Sequence, residues 1–527
     1  MLGALLIVVL YGPGGLGSSP ASPAPTVDGA GWTVYHHDPA GRGVAVGVTS
    51  VTTGSRAWTS PVLDGSLYGE PLVFGGTVYV ATENDMVYAL AAVSGAVVWS
   101  RHLGPAVPAS ILPCGDITPT VGITGTPVID PSRGELYVVA DELVAGSPSH
   151  QLVGLSLANG AVEMAQAVDP AGASTASLLQ RSGLALDTGR IVLTFGGNYG
   201  DCGTYRGWVV SVAETGGTPL EYAVDAARGE SQGAVWMGGG APVVDADGDL
   251  WVSTGNGSVT SSARPYDDSD SVLELSPSLG LEQFFAPANW ASNNAEDLDL
   301  SMVPALLAEG QVVAAGKTRF AYLLDGARLG GIGGQLATVG PVCAGDVDGG
   351  SATVDTTVYL PCLDGTVALR VGAAPPSLRV VWSSRAGGGP PILAGGLVWT
   401  MSQAGVLYGL DPTTGAVRQQ ALVGKPANHF PTPSVGDGIL MATSSDQVIA
   451  FAATSGLSAA TTTTAPGARP TTGHRAPGRP GRLQPSVATG RRGDTVLPVL
   501  AGVAGGLLVV AVAVGSVGRW RRRRRRG

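Results

Sequence analysis

The sequence predicts an all-β protein, and three observations predict it. First, 80 of its 527 residues are Gly and 37 are Pro, while only 13% are charged. Such a chain turns every few residues and lacks the charged helix formers of a coiled coil or helical bundle. Its 44% hydrophobic content is enough for a packed core, which argues against general disorder. The glycines have no period of three, which excludes collagen. Second, apolar residues alternate over short runs such as Val78-Tyr79-Val80, the period of a strand. Third, one pattern recurs along the chain. It reads Pro, an apolar run, a Gly or Asp turn, a β run, a polar turn, a second β run, and Thr/Ser-Gly-x-Val.

Eight copies of this pattern are present. They start near Pro71, Thr126, Ser182, Ala241, Val303, Pro341, Pro390 and Thr432. The mean spacing is about 52 residues, and repeats of this size with about four strands are propeller blades. The expected fold is therefore an eight-bladed β-propeller of four-stranded antiparallel blades. Gly75-Gly76 and Asn84-Asp85 supply turns within the first copy, and Thr413–Gly415 leads the chain into an outermost strand. Trp99 and Trp382 fall in outer strands, where an indole can pack on the next blade. The eighth copy stops near Ala453 after three strands. Trp58, in the stretch SRAWTSP, lies in what reads as the missing fourth. Val51–Ser60 is expected to complete the last blade and so remove the open sheet edges.

The remaining segments have different compositions. Residues 1–25 contain the apolar run Leu2–Leu10 before a Gly/Ser/Pro/Ala stretch, which fits a signal peptide core. The propeller is expected over 31–456. Residues 457–495 are rich in Thr, Pro, Gly and Arg and read as an extended stalk. Residues 496–518 are 23 uncharged residues, long enough for one transmembrane helix, and seven Arg lie in the tail 519–527. The positive-inside rule then puts the C-terminus in the cytoplasm and the propeller outside the cell membrane. The net charge of −10 divides accordingly: residues 1–456 carry 39 acids and 17 bases, a net of −22, and the rest carries +12. An acidic body disfavours nucleic acid as a partner. Two Lys against 28 Arg, with abundant Ala, Gly, Val and Pro, is the codon signature of a GC-rich genome and points to a bacterium.

Four cysteines allow three pairings. Cys343 and Cys362 lie 19 apart on strands expected to be neighbours and are paired here. Cys114–Cys202 then follows and would tie one repeat to the next.

The phrases VYALAAVSGAVVW and LYGLDPTTGAVRQQ resemble the blade motif of the pyrroloquinoline quinone (PQQ) propeller superfamily, and GWTVYHHDPAGRG at 31–43 resembles the start of many such chains. The superfamily includes quinone-dependent alcohol dehydrogenases and cofactor-free propellers such as an outer-membrane assembly lipoprotein. VSTGNG at 252–257 resembles the dehydrogenase segment whose Asn binds Ca²⁺, which implies Asn256 as a metal and cofactor ligand. NWASNNAEDLDL at 289–300 resembles the segment with the catalytic Asp, which implies Asp299, or Asp297. The sequence departs from that pattern in having no adjacent cysteine pair and no haem-attachment motif.

Weaker constellations complete the inventory. Asp245, Asp247 and Asp249 form D-x-D-G-D, a possible Ca²⁺ cluster or a solvated turn. DVDGG at 346–350 reads as another solvated turn. His36 and His37, taken as strand neighbours, would face opposite ways. A complete repeat frame with an incomplete catalytic set leads to one expectation: a membrane-anchored extracytoplasmic binding or scaffolding module that is not an enzyme and needs no cofactor. Its partner would be an envelope protein or a small-molecule ligand. The alternative is a PQQ-dependent dehydrogenase of alcohols or sugars with a Ca²⁺–PQQ site in the central channel.

Overall fold

The computed structural model describes residues 31–225 and 229–455. They form an eight-bladed propeller of antiparallel blades. The inner strands are Leu72–Phe74, Val128–Asp130, Ala185–Asp187, Val243–Val244, Ala305–Leu306, Ala352–Val354, Ile392–Ala394 and Ser434–Gly436, numbered here as blades 1 to 8. Blade 4 gains a fifth strand, Gly331–Ile332, which pairs parallel to Leu281–Ala286. The middle strands are buried on both faces, and the outer strands expose one. The sixth copy begins later than its sequence suggests: its inner strand is Ala352–Val354 and not the stretch after Pro341.

The ring closes through its N-terminus. Val48–Thr59 pairs antiparallel with Gln447–Ser455 as the outer strand of blade 8. This is the closure expected for Val51–Ser60, extended at its start by three residues.

One contact recurs between blades. Trp58 of blade 8 donates its indole N–H to the carbonyl of Ala92 in blade 1 (2.7 Å). Trp99 of blade 1 donates to Leu157 in blade 2 (3.0 Å), and Trp382 of blade 6 to Pro412 in blade 7 (3.0 Å). Each indole lies flat over the turn glycine of the receiving blade: Gly95, Gly160 or Gly415. These glycines have φ of 69°, 67° and 70°, and a Cβ at any of them would run into the ring. Each of these glycines, preceded by Ser94, Asn159 or Thr414, is thus fixed twice, by a left-handed turn and by the incoming Trp.

Residues 31–47 do something the repeat pattern does not announce. They pass from blade to blade along the inner strands. The Trp32 carbonyl accepts from Val73 N (blade 1), Thr33 from Ile129 N (blade 2), Pro39 from Val244 N (blade 4), Arg42 from Thr353 N (blade 6) and Gly43 from Leu393 N (blade 7). The segment crosses the central channel with Trp32 and His36 fully buried. His36 and His37 are not strand neighbours: both have left-handed φ, 56° and 78°, in a tight turn. His36 stacks on Tyr35 with ring centroids 4.4 Å apart.

Both disulfides form with the expected pairing, but in different settings. Cys343 is in a loop and not on a strand, and joins the end of the strand Thr357–Cys362. Cys114, between blades 1 and 2, joins Cys202 within blade 3, so the bridge skips a blade. Residues 1–25, 457–495, 496–518 and 519–527 lie outside the described residues. Among the described residues no helix is long and apolar enough to cross a membrane.

Replacing Trp58 by Ala removes a buried indole and its hydrogen bond at the closure. The expected loss is about 3–5 kcal/mol, read as a lower urea midpoint, while Trp58→Phe should retain most of the stability. Equal midpoints for Trp58→Ala and wild type would show that the ring does not depend on this contact.

Candidate ligand cup

The segments that lead into the inner strands and the turns between second and third strands gather at one end of the channel. They enclose a cavity of ≈ 430 Å³. Its wall carries five carboxylates, Asp116, Asp297, Asp299, Asp346 and Asp348, and the bases Arg181, Lys317 and His429. Trp236, Tyr199 and Phe430 supply aromatic surface, and the Arg181 guanidinium sits 5.2 Å over the Phe430 ring. Below the cup, Arg181, Gly238 and Phe430 also border a void of ≈ 10 Å³ with Tyr35 and Glu70, roughly room for one water. Tyr35 belongs to the crossing segment, so the cup is blind at this end. Glu70 is fully buried. One of its oxygens accepts from His36 N (2.9 Å), and burial raises its carboxyl well above the usual carboxylate range.

Asp299 is the best-held residue of the cup. It is 2% exposed, and its Oδ1 accepts from Asn256 N (2.6 Å). Its Oδ2 faces Lys317 Nζ at 2.6 Å, and the same ammonium reaches Asp297 Oδ1 at 3.0 Å. Lys317 is pushed up by these two aspartates against the opposing effect of burial. The TGN segment is pinned from the helix Trp290–Glu296: Asn294 Oδ1 accepts from Gly257 N (2.9 Å), and Asn293 Nδ2 donates to Asp270 (2.6 Å). Gly255 has no room for a side chain because Asp299 lies against it. Asp270 is pushed up to about 8, first by burial, with the Asp299 charge adding to it.

The structure therefore brings Asn256, Asp297 and Asp299 together, with Asp297 and Asp299 in the cup wall and Asn256 behind it. Asp348, read from sequence as part of a solvated turn, is 7% exposed and is raised to about 6, chiefly by burial. Asp245, Asp247 and Asp249 lie elsewhere, in the turn before Leu250–Thr254. There Asp245 Oδ1 accepts from the backbone of Asp247 and Asp249. Asp245 and Asp249 meet Glu274, with ligand atoms within 4.8 Å of one another, and Asp247 is not part of that group. Glu274 was missed because it comes from the neighbouring strand, 25 residues on. Lys317, Trp236, Arg181 and Phe430 were missed because each comes from a different blade. The scarcity of lysine, Lys317 and Lys425 alone, was the one available signal for the first.

Lys317→Met should leave Asp299 buried without its cation and cost roughly 1–3 kcal/mol, less than a fully buried pair because the lysine is 22% exposed. Lys317→Met combined with Asp299→Asn should regain most of that loss. Chemical denaturation of the three variants checks this, and strict additivity would show that the two groups are not coupled.

The family model described as outer membrane protein assembly factor BamB matches residues 41–266. No curated protein matches the sequence. Among solved structures, the quinohemoprotein alcohol dehydrogenase of Comamonas testosteroni is 15% identical with a TM-score of 0.60, covering 80% of each chain. Quinohemoprotein alcohol dehydrogenase ADHIIG of Pseudomonas putida HK5 is 14% identical with a TM-score of 0.61 and the same coverage. A europium-containing methanol dehydrogenase is 14% identical with a TM-score of 0.55, covering 80% of this chain and 90% of its own. With eight blades, the repeated turn motif and these likenesses on the page, the chain has the fold of a PQQ-like β-propeller, and its residues 41–266 match the assembly-factor family.

Proposed function

We propose that this chain is an extracytoplasmic, membrane-anchored propeller whose blind cup and blade surfaces bind a ligand or an envelope partner without catalysing a reaction. The observation that carries the reading is the charge of the cup. Five aspartates face Arg181, Lys317 and His429, and Lys317 is already taken up by Asp297 and Asp299. PQQ is a tricarboxylate, so these residues fit it poorly. The cysteine available near the cup, Cys114, is bonded to Cys202 and not to an adjacent cysteine. The matching family description is that of an assembly factor, which is consistent with a scaffolding role. Anchoring rests on the apolar run 496–518 and the Arg-rich tail after it.

A second reading, a PQQ-dependent dehydrogenase, is favoured by Trp236, an aromatic wall in the same cup as Asp299. If PQQ were bound there with Ca²⁺, it would supply the hydride-accepting chemistry. On that reading Asn256 would be the metal ligand and Asp299 the catalytic carboxylate, as the resemblance of residues 252–257 and 289–300 implies.

Titration of the full chain with PQQ and Ca²⁺, followed by tryptophan fluorescence and calorimetry, decides between them. The expected result is no saturable uptake and no dye-linked oxidation across a panel of alcohols and sugars. Tight uptake lost in Asn256→Ala, with oxidation abolished in Asp299→Asn, would overturn the binding reading. Truncation after Thr495 should release the propeller from the membrane fraction, and retention there would refute the C-terminal anchor.

A further inference from the structure

A second group of acids lies apart from the wall of the cup, in the seam between blades 1 and 2. Asp85 occupies the turn between Thr77–Ala81 and Met86–Ala91, is fully buried, and has neither carboxylate oxygen hydrogen-bonded. Glu83, 2% exposed, accepts from Gly122 N (2.8 Å) and Thr124 (3.1 Å) through Oε2, while its Oε1 is buried without a partner. Across the seam, blade 2 carries Asp141 directly opposite His150 on the hairpin of Glu135–Val144 and Ser147–Ser156. Both are buried. His150 Nδ1 meets Asp169 at 2.7 Å, and its Nε2 lies 3.8 Å from Asp141. Glu142 completes the group. Among the described residues no Lys or Arg comes within ion-pair distance of these acids. His150 alone does so, while Arg181 acts on Glu83 and His102 on Glu142 from further off.

This seam is roofed by the segment 103–121. Leu103 N donates to the Asp85 carbonyl (3.0 Å) and Leu143 N to Pro105 (2.8 Å), and just past the end of the roof Asp141 N donates to Gly122 (3.3 Å). The roof carries Asp116, which lines the cup, and Cys114, which is tied to Cys202. Ionised carboxylates cannot remain unpaired in such a place at small cost.

We propose that the blade 1–2 seam is a proton-dependent latch on the cup: the roof 103–121 stays closed while Glu83, Asp85 and Asp141 hold protons, and opens as they release them. Burial, followed by neighbouring acids for Asp85, raises Asp141 to about 6, Glu83 to about 7 and Asp85 to about 9. These closed-state values lie above those of an opened, hydrated carboxyl. The closed state therefore loses stability as pH rises from the ordinary carboxylate range towards each raised value. The opening equilibrium grows about tenfold per pH unit for each carboxyl in its window. His150 acts in the same direction: Asp141 and Asp169 raise it against its burial, and it loses its balancing charge as pH rises.

Amide hydrogen exchange of the full chain between pH 6 and 8, corrected for intrinsic rates, tests the latch at Leu103, Asp141 and Leu143. Wild type should open at least tenfold more per pH unit. Asp85→Asn, which copies the protonated side chain, should lower that dependence by about one factor of ten per unit. Glu83→Gln provides a second variant should Asp85→Asn fail to fold, with its loss of slope confined to the range from pH 6 up to about 7, where the raised value of Glu83 lies. An unchanged slope in the variant that folds would overturn the proposal. So would wild-type protection at pH 8 restored to its pH 6 level by excess Ca²⁺, since a cation rather than protons would then neutralise the seam.

Discussion

A tryptophan laid over a glycine joins three of the ring's eight seams, including the one that closes it. Trp58, Trp99 and Trp382 each leave one blade, cover the turn glycine of the next and donate to a carbonyl there. An indole has apolar area to bury and one N–H to satisfy, and this arrangement answers both needs. The cost is a strict requirement on the receiving turn, because only glycine combines the left-handed φ with an open face. The motif is thus a docking rule written in two parts, one on each blade. Where Trp is missing the contact changes chemistry: in blade 7, Gln419 binds the backbone and the hydroxyl of the closing strand at Val51 and Thr53.

That rigid ring is what makes the cup usable. Its wall residues come from at least seven separate segments between Asp116 and Phe430. No local element could hold them, yet Asp299, Lys317 and Asn256 meet at 2.6 Å distances. The crossing segment 31–47 sets the depth by sealing the channel with Trp32, Tyr35 and His36. The likeness to quinohemoprotein alcohol dehydrogenases is one of fold, at 14–15% identity.

Much of the architecture was legible because each blade repeats the same turn and strand pattern. Eight copies, the short final blade and Trp58 together announced the closure. What was not legible involves contacts across the repeat. His36-His37 looked like strand neighbours because nothing local announces a left-handed turn in two consecutive non-glycine residues. Asp348 looked solvated because D-x-D-G is the composition of an exposed turn, and its burial comes from packing at the channel. Asn256 and Asp299 were reachable only through resemblance, since 43 residues separate a backbone donor from the carboxylate that accepts from it. Cys114 was assigned its partner correctly, but the blade it spans could not be read from spacing.

The closing strand has a consequence for how such a chain can be made. Val48–Thr59 leaves the ribosome early, and its partner Gln447–Ser455 leaves nearly 400 residues later. During synthesis the first segment has no sheet to join. Blade 8 cannot exist, and blade 1 keeps an unprotected neighbour surface, until almost the entire body has emerged. Contacts of such long sequence separation form slowly and leave strand edges open to wrong pairing meanwhile. A chain closed in this manner is therefore most vulnerable in the interval before its last strand arrives, and a nascent chain cut short anywhere before residue 447 would present an open ring with two sticky ends.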